Sequence, residues 1–140
     1  WHEADPLVAA PMTPLCAPGL AARLRRPQDL AGQRLLRSYR AEEWEGWFAQ
    51  AGASCPVLDG PVLDSSVALA DLAAAGEGVA LLPAAMFTRQ LRAGILARPF
   101  AAEVDAGRYW LTWPRGRTQS DAMARLRSWL ARTIADDPAG

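Results

Sequence analysis

The spacing of apolar residues along the chain predicts short strands that alternate with helices. The clearest helix carries one apolar stripe at positions i, i+3, i+4 and i+7, and a glycine that ends it: Trp44, Trp47, Phe48, Ala51 and Gly52. Acidic residues lie in its first turns, where the positive end of the helix dipole favours them. We interpret the tryptophan stripe as core packing rather than as a cofactor-binding surface, because such stripes usually pack in cores.

The other elements continue this alternation. Residues 1–18 contain four prolines and predict extended chain, because proline cannot donate to a ladder and breaks helices. Further strands are predicted at 35–39, 57–64, 78–83, 96–100 and 109–113, and further helices at 20–24, 67–75, 84–93 and from 118 onward. The last helix opens on the capping-box pattern of Thr118 and Asp121. The order of elements predicts an α/β domain with a largely parallel sheet.

Composition narrows the function classes. The 140 residues suit one domain with its own core, and 51% hydrophobic residues exclude a long disordered chain. Fifteen basic residues balance fifteen acidic ones, which argues against a nucleic-acid surface spread over this chain. No apolar run approaches the roughly 18 residues of a membrane span, so we expect no membrane partner.

The residues that usually carry catalysis or metals are scarce. His2 is the one histidine of the sequence, and Cys16 and Cys55 do not have metal-ligand spacing. We therefore expect no catalytic residues, no metal site and no cofactor, and we interpret the cysteines as small buried hydrophobes.

One polar cluster lies where a predicted strand meets a predicted helix. Asp64, Ser65 and Ser66 precede an alanine-rich helix, and ligands of α/β sheets bind near such junctions, where backbone N–H groups point outward. Two interpretations stay open: one of the three residues caps the helix, or their hydroxyls and backbone bind an anionic ligand. Tyr109, in the aromatic strand at 109–113, either contacts a ligand or bonds a backbone carbonyl at the core's edge.

A second polar group follows the strand predicted at 35–39. Arg37 and Arg40, on either side of Tyr39, could clamp an anion. The alternative, which we favour, is that both arginines are solvated and form ion pairs with Glu42 or Glu43.

Several segments together resemble one family. They are PLCAP (14–18), LLRSYRAEEW (35–44), LDSSV (63–67), GVALLPAAMF (78–87) and GRYWLT (107–112). In this order they resemble the regulatory domain of LysR-type transcriptional regulators, and within that family the AmpR/PenR-like regulators of β-lactamase. The resemblance runs over nearly the whole chain.

The resemblance implies a type 2 periplasmic-binding-protein-like regulatory domain of two lobes. It assigns residues 1–18 to the end of the first lobe and the crossover strand, and residues 19–105 to the second lobe. Residues 106–140 would be the return strand and a C-terminal helix that packs on the first lobe. The N-terminal winged helix-turn-helix of the family would be absent from this chain.

The resemblance also implies the partners. Regulators of this group are cytoplasmic and sense muramyl peptides, namely a UDP-N-acetylmuramyl pentapeptide and anhydro-muramyl peptides. They act as homodimers or tetramers on promoter DNA. The family's pocket-lining serine and tyrosine match Ser66 and Tyr109, and a pocket threonine belongs to the first lobe. Three alternatives remain: a glycine-cleavage-type LysR regulator that senses another metabolite, a solute-binding protein of the same fold, or an enzyme on this fold.

Overall fold

The computed structural model describes residues 2–136, which fall into two compact units. The larger unit is Pro11–Ala106, and the smaller combines the described parts of Trp1–Ala10 and Gly107–Gly140. The first boundary between the units falls between Ala10 and Pro11, so residues 11–18 belong to the larger unit. The assignment of 1–18, 19–105 and 106–140 to lobes stays a prediction.

The described residues form five strands and five α-helices, with two short 3-10 helices at Pro27–Gly32 and Ala84–Phe87. The strands are β1 (His2–Ala9), β2 (Met12–Leu15), β3 (Leu35–Leu36), β4 (Val79–Pro83) and β5 (Arg108–Pro114). The helices are α1 (Pro18–Ala21), α2 (Glu42–Ala51), α3 (Ser66–Ala74), α4 (Thr88–Arg92) and α5 (Asp121–Asp136).

The larger unit contains a three-stranded sheet in the order β2-β4-β3. β3 and β4 are parallel, with Leu35 opposite Val79, whereas β2 and β4 are antiparallel, with Met12 opposite Pro83. The prediction of a largely parallel sheet is therefore wrong. The helical crossover from β3 to β4 makes these two strands parallel, whereas β2, which α1 and a 3-10 helix join to β3, runs antiparallel to β4.

The strand predicted at 57–64 is reduced to a single pairing. Arg37 bridges Val62 in parallel, through Arg37 N–H to the Pro61 carbonyl and Leu63 N–H to the Arg37 carbonyl, both at 2.9 Å. Pro61 in this stretch and Pro56 just before it lack the N–H that a ladder needs, which explains why the strand does not extend. The strand predicted at 96–100 is likewise one bridge, between Ala97 and Cys16.

Buried side chains form a core on each face of the sheet. Side chains alternate along β4, so Val79 and Leu81 pack with the α2 aromatics, while Ala80 and Leu82 pack against α3. The α2 side holds Trp44, Trp47 and Phe48, which are 2%, 0% and 1% exposed. The interpretation of the tryptophan stripe as core is confirmed, and Gly52 ends α2 with a φ of 73°.

Three predicted helix boundaries need correction. The helix expected at 20–24 is Pro18–Ala21, since proline suits the first helical position. The helix expected at 84–93 is a 3-10 turn followed by α4. Thr118 does not cap α5: the helix begins at Asp121, and the hydroxyl of Ser120 accepts from the N–H of Met123 at 3.2 Å.

The smaller unit pairs β1 with β5 in an antiparallel ribbon that carries α5. Arg127 of α5 connects these elements, because its guanidinium bonds the carboxylate of Asp5 and lies 4.7 Å from the ring centre of Trp113. Helix α5 contains no buried residue, and Leu126 and Trp129 are each about half exposed. No helix in residues 2–136 has the length and apolar character to cross a membrane.

Candidate functional site

The polar cluster lies at one edge of the larger unit's sheet, beyond its parallel strands. The pairing of Arg37 with Val62 adds a fourth chain segment beside β3, and that segment runs directly into α3. The residues after β3 and those after Val62 therefore emerge at the same edge, next to the first turn of α3. This edge is the place where α/β sheets bind ligands.

The structure assigns the capping role to one of the two serines. Ser65 is the N-cap of α3, with extended φ and ψ, and its Oγ accepts from the N–H of Ala68 at 3.3 Å. Ser66 is the first helical residue, is half-buried, and its hydroxyl forms no hydrogen bond with another described residue. Asp64 is exposed and has no ion pair with the described residues. The capping interpretation thus holds for Ser65 and leaves Ser66 and Asp64 available.

Tyr109 belongs to the smaller unit. It is the second residue of β5, pairs with Val8 of β1 and is 42% exposed. Strand alternation places it on the same face as Leu111 and Trp113. Ser66 and Tyr109 lie in different units, so their sharing of one site stays a prediction.

The two arginines near Tyr39 differ from each other. The guanidinium of Arg37 donates to the Gly60 carbonyl from Nε at 2.8 Å and from Nη2 at 2.6 Å, so its predicted pairing with glutamate is wrong. Arg40 does approach Glu43, with Nη1 4.0 Å from Oε1. The bond of Arg37 depends on a carbonyl 23 residues away, which no local pattern could have shown.

Sequence reasoning missed Ser38 as an organiser of this edge. Its hydroxyl donates to Oε2 of Glu43 at 2.9 Å and accepts from the backbone N–H of Arg40 at 3.1 Å. A serine two residues before a chain reversal is a known local signal for such turns. These bonds fix the loop that displays Tyr39 and Arg40.

The two cysteines differ in burial, and the prediction of a small buried hydrophobe is confirmed for Cys16. It is fully buried, and burial raises the pKa of its thiol to about 11, which keeps it protonated and unreactive at neutral pH. Cys55 is half-buried, and desolvation also raises the pKa of its thiol. In residues 2–136, no three histidine, cysteine or acidic side chains cluster as metal ligands.

Two open grooves lie away from the candidate residues. One, of about 670 Å³, is in the smaller unit beside Asp5 and Arg127. The other, of about 560 Å³, is in the larger unit beside Arg23 and Arg34. Neither groove includes the polar cluster or Tyr109, so the case for the candidate site rests on its hydroxyls and strand ends.

Comparison with known proteins identifies the family. The LysR substrate binding domain pattern matches residues 2–135. The chain belongs to this family. It is 55% identical to the HTH-type transcriptional activator AmpR of Rhodobacter capsulatus over 96% of this chain and 47% of that protein. It is 48% identical to AmpR of Pseudomonas aeruginosa over 100% of this chain and 49% of that protein. The chain therefore spans about half the length of the curated relatives it matches.

Solved LysR-type structures establish the fold. The AmpR effector domain of Pseudomonas aeruginosa superposes with a TM-score of 0.89 at 48% identity, covering 96% of this chain and 66% of that one. The AmpR effector binding domain of Citrobacter freundii gives 0.91 at 37% identity, covering 97% and 69%. The predicted family and its periplasmic-binding-protein-like α/β fold are confirmed. The LysR relatives are named as transcriptional regulators, which is the non-enzymatic class that the sequence predicted.

Proposed function

We propose that this chain is the effector-binding region of a LysR-type regulator that controls β-lactamase expression in response to cell-wall muramyl peptides. The effectors would be a UDP-N-acetylmuramyl pentapeptide and anhydro-muramyl peptides, bound by Ser66 and Tyr109. The high identity to AmpR proteins over nearly the whole chain supports the first part of the proposal. The second part depends on the two hydroxyls.

The proposed site is supported by the sequence spacing between a serine and a tyrosine. A solved Citrobacter freundii effector binding domain contains three substitutions, one threonine to valine, one serine to alanine and one tyrosine to phenylalanine. Each removes a hydroxyl and keeps nearly the same shape. The substituted serine and tyrosine are 43 positions apart there, and Ser66 and Tyr109 are also 43 positions apart, in a match that covers 95% of this chain. The substituted threonine precedes that serine by 118 positions. The position that corresponds to this threonine therefore lies outside the present sequence.

The chemistry of the two residues suits a peptide that ends in a carboxylate. The first turn of α3 presents backbone N–H groups at the positive end of a nine-residue helix, and the Ser66 hydroxyl can donate to the same carboxylate. The hydroxyl of Tyr109 supplies a further donor or acceptor for the peptide. Ser65, in its capping role, stabilises the turn that presents these groups.

Binding would act on transcription by a population shift. An effector that binds one arrangement of the lobes more tightly changes the arrangement of a homodimer or tetramer, and with it how the DNA-binding domains meet the promoter. Promoter DNA would be contacted through an N-terminal winged helix-turn-helix, which agrees with the zero net charge of this chain. A regulator of this kind works in the cytoplasm.

Removing either hydroxyl is expected to weaken binding without unfolding the protein. We expect Ser66→Ala and Tyr109→Phe each to lower affinity about fivefold, equivalent to about 1 kcal/mol, because each deletes one hydrogen bond to the effector. The measurement is calorimetric titration of the full-length protein with a muramyl pentapeptide that ends in D-Ala-D-Ala. Ser54→Ala, which deletes an exposed hydroxyl elsewhere, is the control and should bind like the wild type. Absence of binding by the wild-type protein would rule out muramyl peptides as effectors.

A further inference from the structure

Arg40 and Asp64 lie on neighbouring chain segments at the edge that contains Ser66. Arg40 follows the Arg37–Val62 pairing by three residues on one segment, and Asp64 follows it by two on the other. The Ser38 hydroxyl, bonded to Glu43 and to the N–H of Arg40, fixes the loop that carries Arg40. Both residues therefore follow the paired stretch at the end of the sheet from which the chain enters α3.

Neither charge is neutralised closely within the larger unit. The guanidinium of Arg37 is committed to the Gly60 carbonyl, whereas Arg40 has one long ion pair of 4.0 Å with Glu43 and a side chain that is 66% exposed. Glu43 itself is only 13% exposed and also accepts from Ser38. Asp64 has no ion pair with a described residue, so it does not pair with Arg40 either. The Arg40 cation and the Asp64 anion are thus not paired with each other at this edge of the sheet.

A ligand that carries an ammonium and a carboxylate on one carbon would match this arrangement. Asp64 alone would repel an acidic effector, and Arg40 offsets that repulsion while offering a planar pair of donors to a carboxylate. We propose that Arg40 binds a carboxylate, and Asp64 the adjacent ammonium, of a zwitterionic amino-acid side group on the peptide effector. This inference rests on the proposed function and adds the specificity of the same site.

Two muramyl pentapeptides that differ by a single carboxylate test the inference. One contains diaminopimelate at its third position and the other contains lysine, which has the ammonium without the carboxylate. Titrated into the full-length wild-type protein, the diaminopimelate peptide should bind about fivefold more tightly. Arg40→Gln should remove this preference. Asp64→Asn should weaken binding of both peptides by a similar factor and keep the preference, because both carry the ammonium.

Arg34→Gln is the matched control. Arg34 precedes β3, whereas Arg40 follows it. The Arg34 side chain is 59% exposed and pairs with Glu77 at 3.3 Å, so Arg34 is an exposed, ion-paired arginine at the opposite end of the strand. It should keep the wild-type preference. A wild-type protein that binds both peptides equally, or an Arg40→Gln protein that still prefers diaminopimelate, would overturn this inference alone. Failure of the wild type to bind either peptide would overturn the proposed function and this inference with it.

Discussion

Replacing Trp47 with alanine is expected to lower the free energy of unfolding by about 4 kcal/mol. Its ring is fully buried between the sheet and three other aromatic rings, with centroids 5.1 Å from Phe48, 5.5 Å from Phe100 and 6.1 Å from Trp44. The substitution leaves a cavity that this close-packed cluster cannot fill by small movements. It also removes the 2.9 Å hydrogen bond from Nε1 to the Ala102 carbonyl, although the hydroxyl of Thr13 still donates to that carbonyl.

Urea unfolding followed by far-ultraviolet circular dichroism measures this loss without depending on tryptophan emission. Tyr39→Ala is the matched control, because it truncates another aromatic residue of the same unit that is 77% exposed. We expect that control to change the free energy of unfolding by about 0.5 kcal/mol or less. Equal losses in the two variants would show that the α2 aromatics do not form the main core.

The sequence was sufficient for elements that depend on neighbours along the chain. Helix α2 could be predicted because its stripe, its acidic first turn and Gly52 all lie within eleven residues. The segment 57–64 could not be placed correctly, because its one pairing joins Val62 to Arg37 across 25 positions. Local apolar content indicates a strand there, but the partner and the prolines decide how much of it pairs.

The candidate site also combines features that the local sequence predicts with features that only the folded chain determines. The strand–cap–helix order located the polar cluster, but the helix boundary decided that Ser65 is the cap and Ser66 is available, and boundaries depend on single backbone angles. The pattern offered Tyr109 and the cluster at 64–66 as candidates, and the family resemblance then singled out Ser66 within that cluster and supported Tyr109. The different partners of Arg37 and Arg40 appear only when the Gly60 carbonyl is brought beside β3 by folding.

Gly60→Ala tests how strongly the fold positions the candidate site. A Cβ atom at this position would lie 1.9 Å from the carbonyl oxygen of Leu35 and 2.9 Å from its carbon, and these are backbone atoms of β3 that cannot rotate away. The segment would have to move off β3, which breaks the bonds of Arg37 to Pro61 and Leu63 and displaces the chain that leads into α3. We expect the free energy of unfolding to fall by about 3 kcal/mol.

The control for this substitution is Gly19→Ala. No atom lies within 4 Å of the Cβ that it would add in α1, so its stability should be unchanged or slightly raised, since alanine favours helix. Urea unfolding compares the two variants, and titration with the D-Ala-D-Ala pentapeptide then tests the site. Gly60→Ala should bind more weakly even where it remains folded, because Asp64 and Ser66 follow Gly60 closely in the chain. If both variants unfold at the same urea concentration, the close contact with Leu35 does not hold this segment, and another contact positions α3.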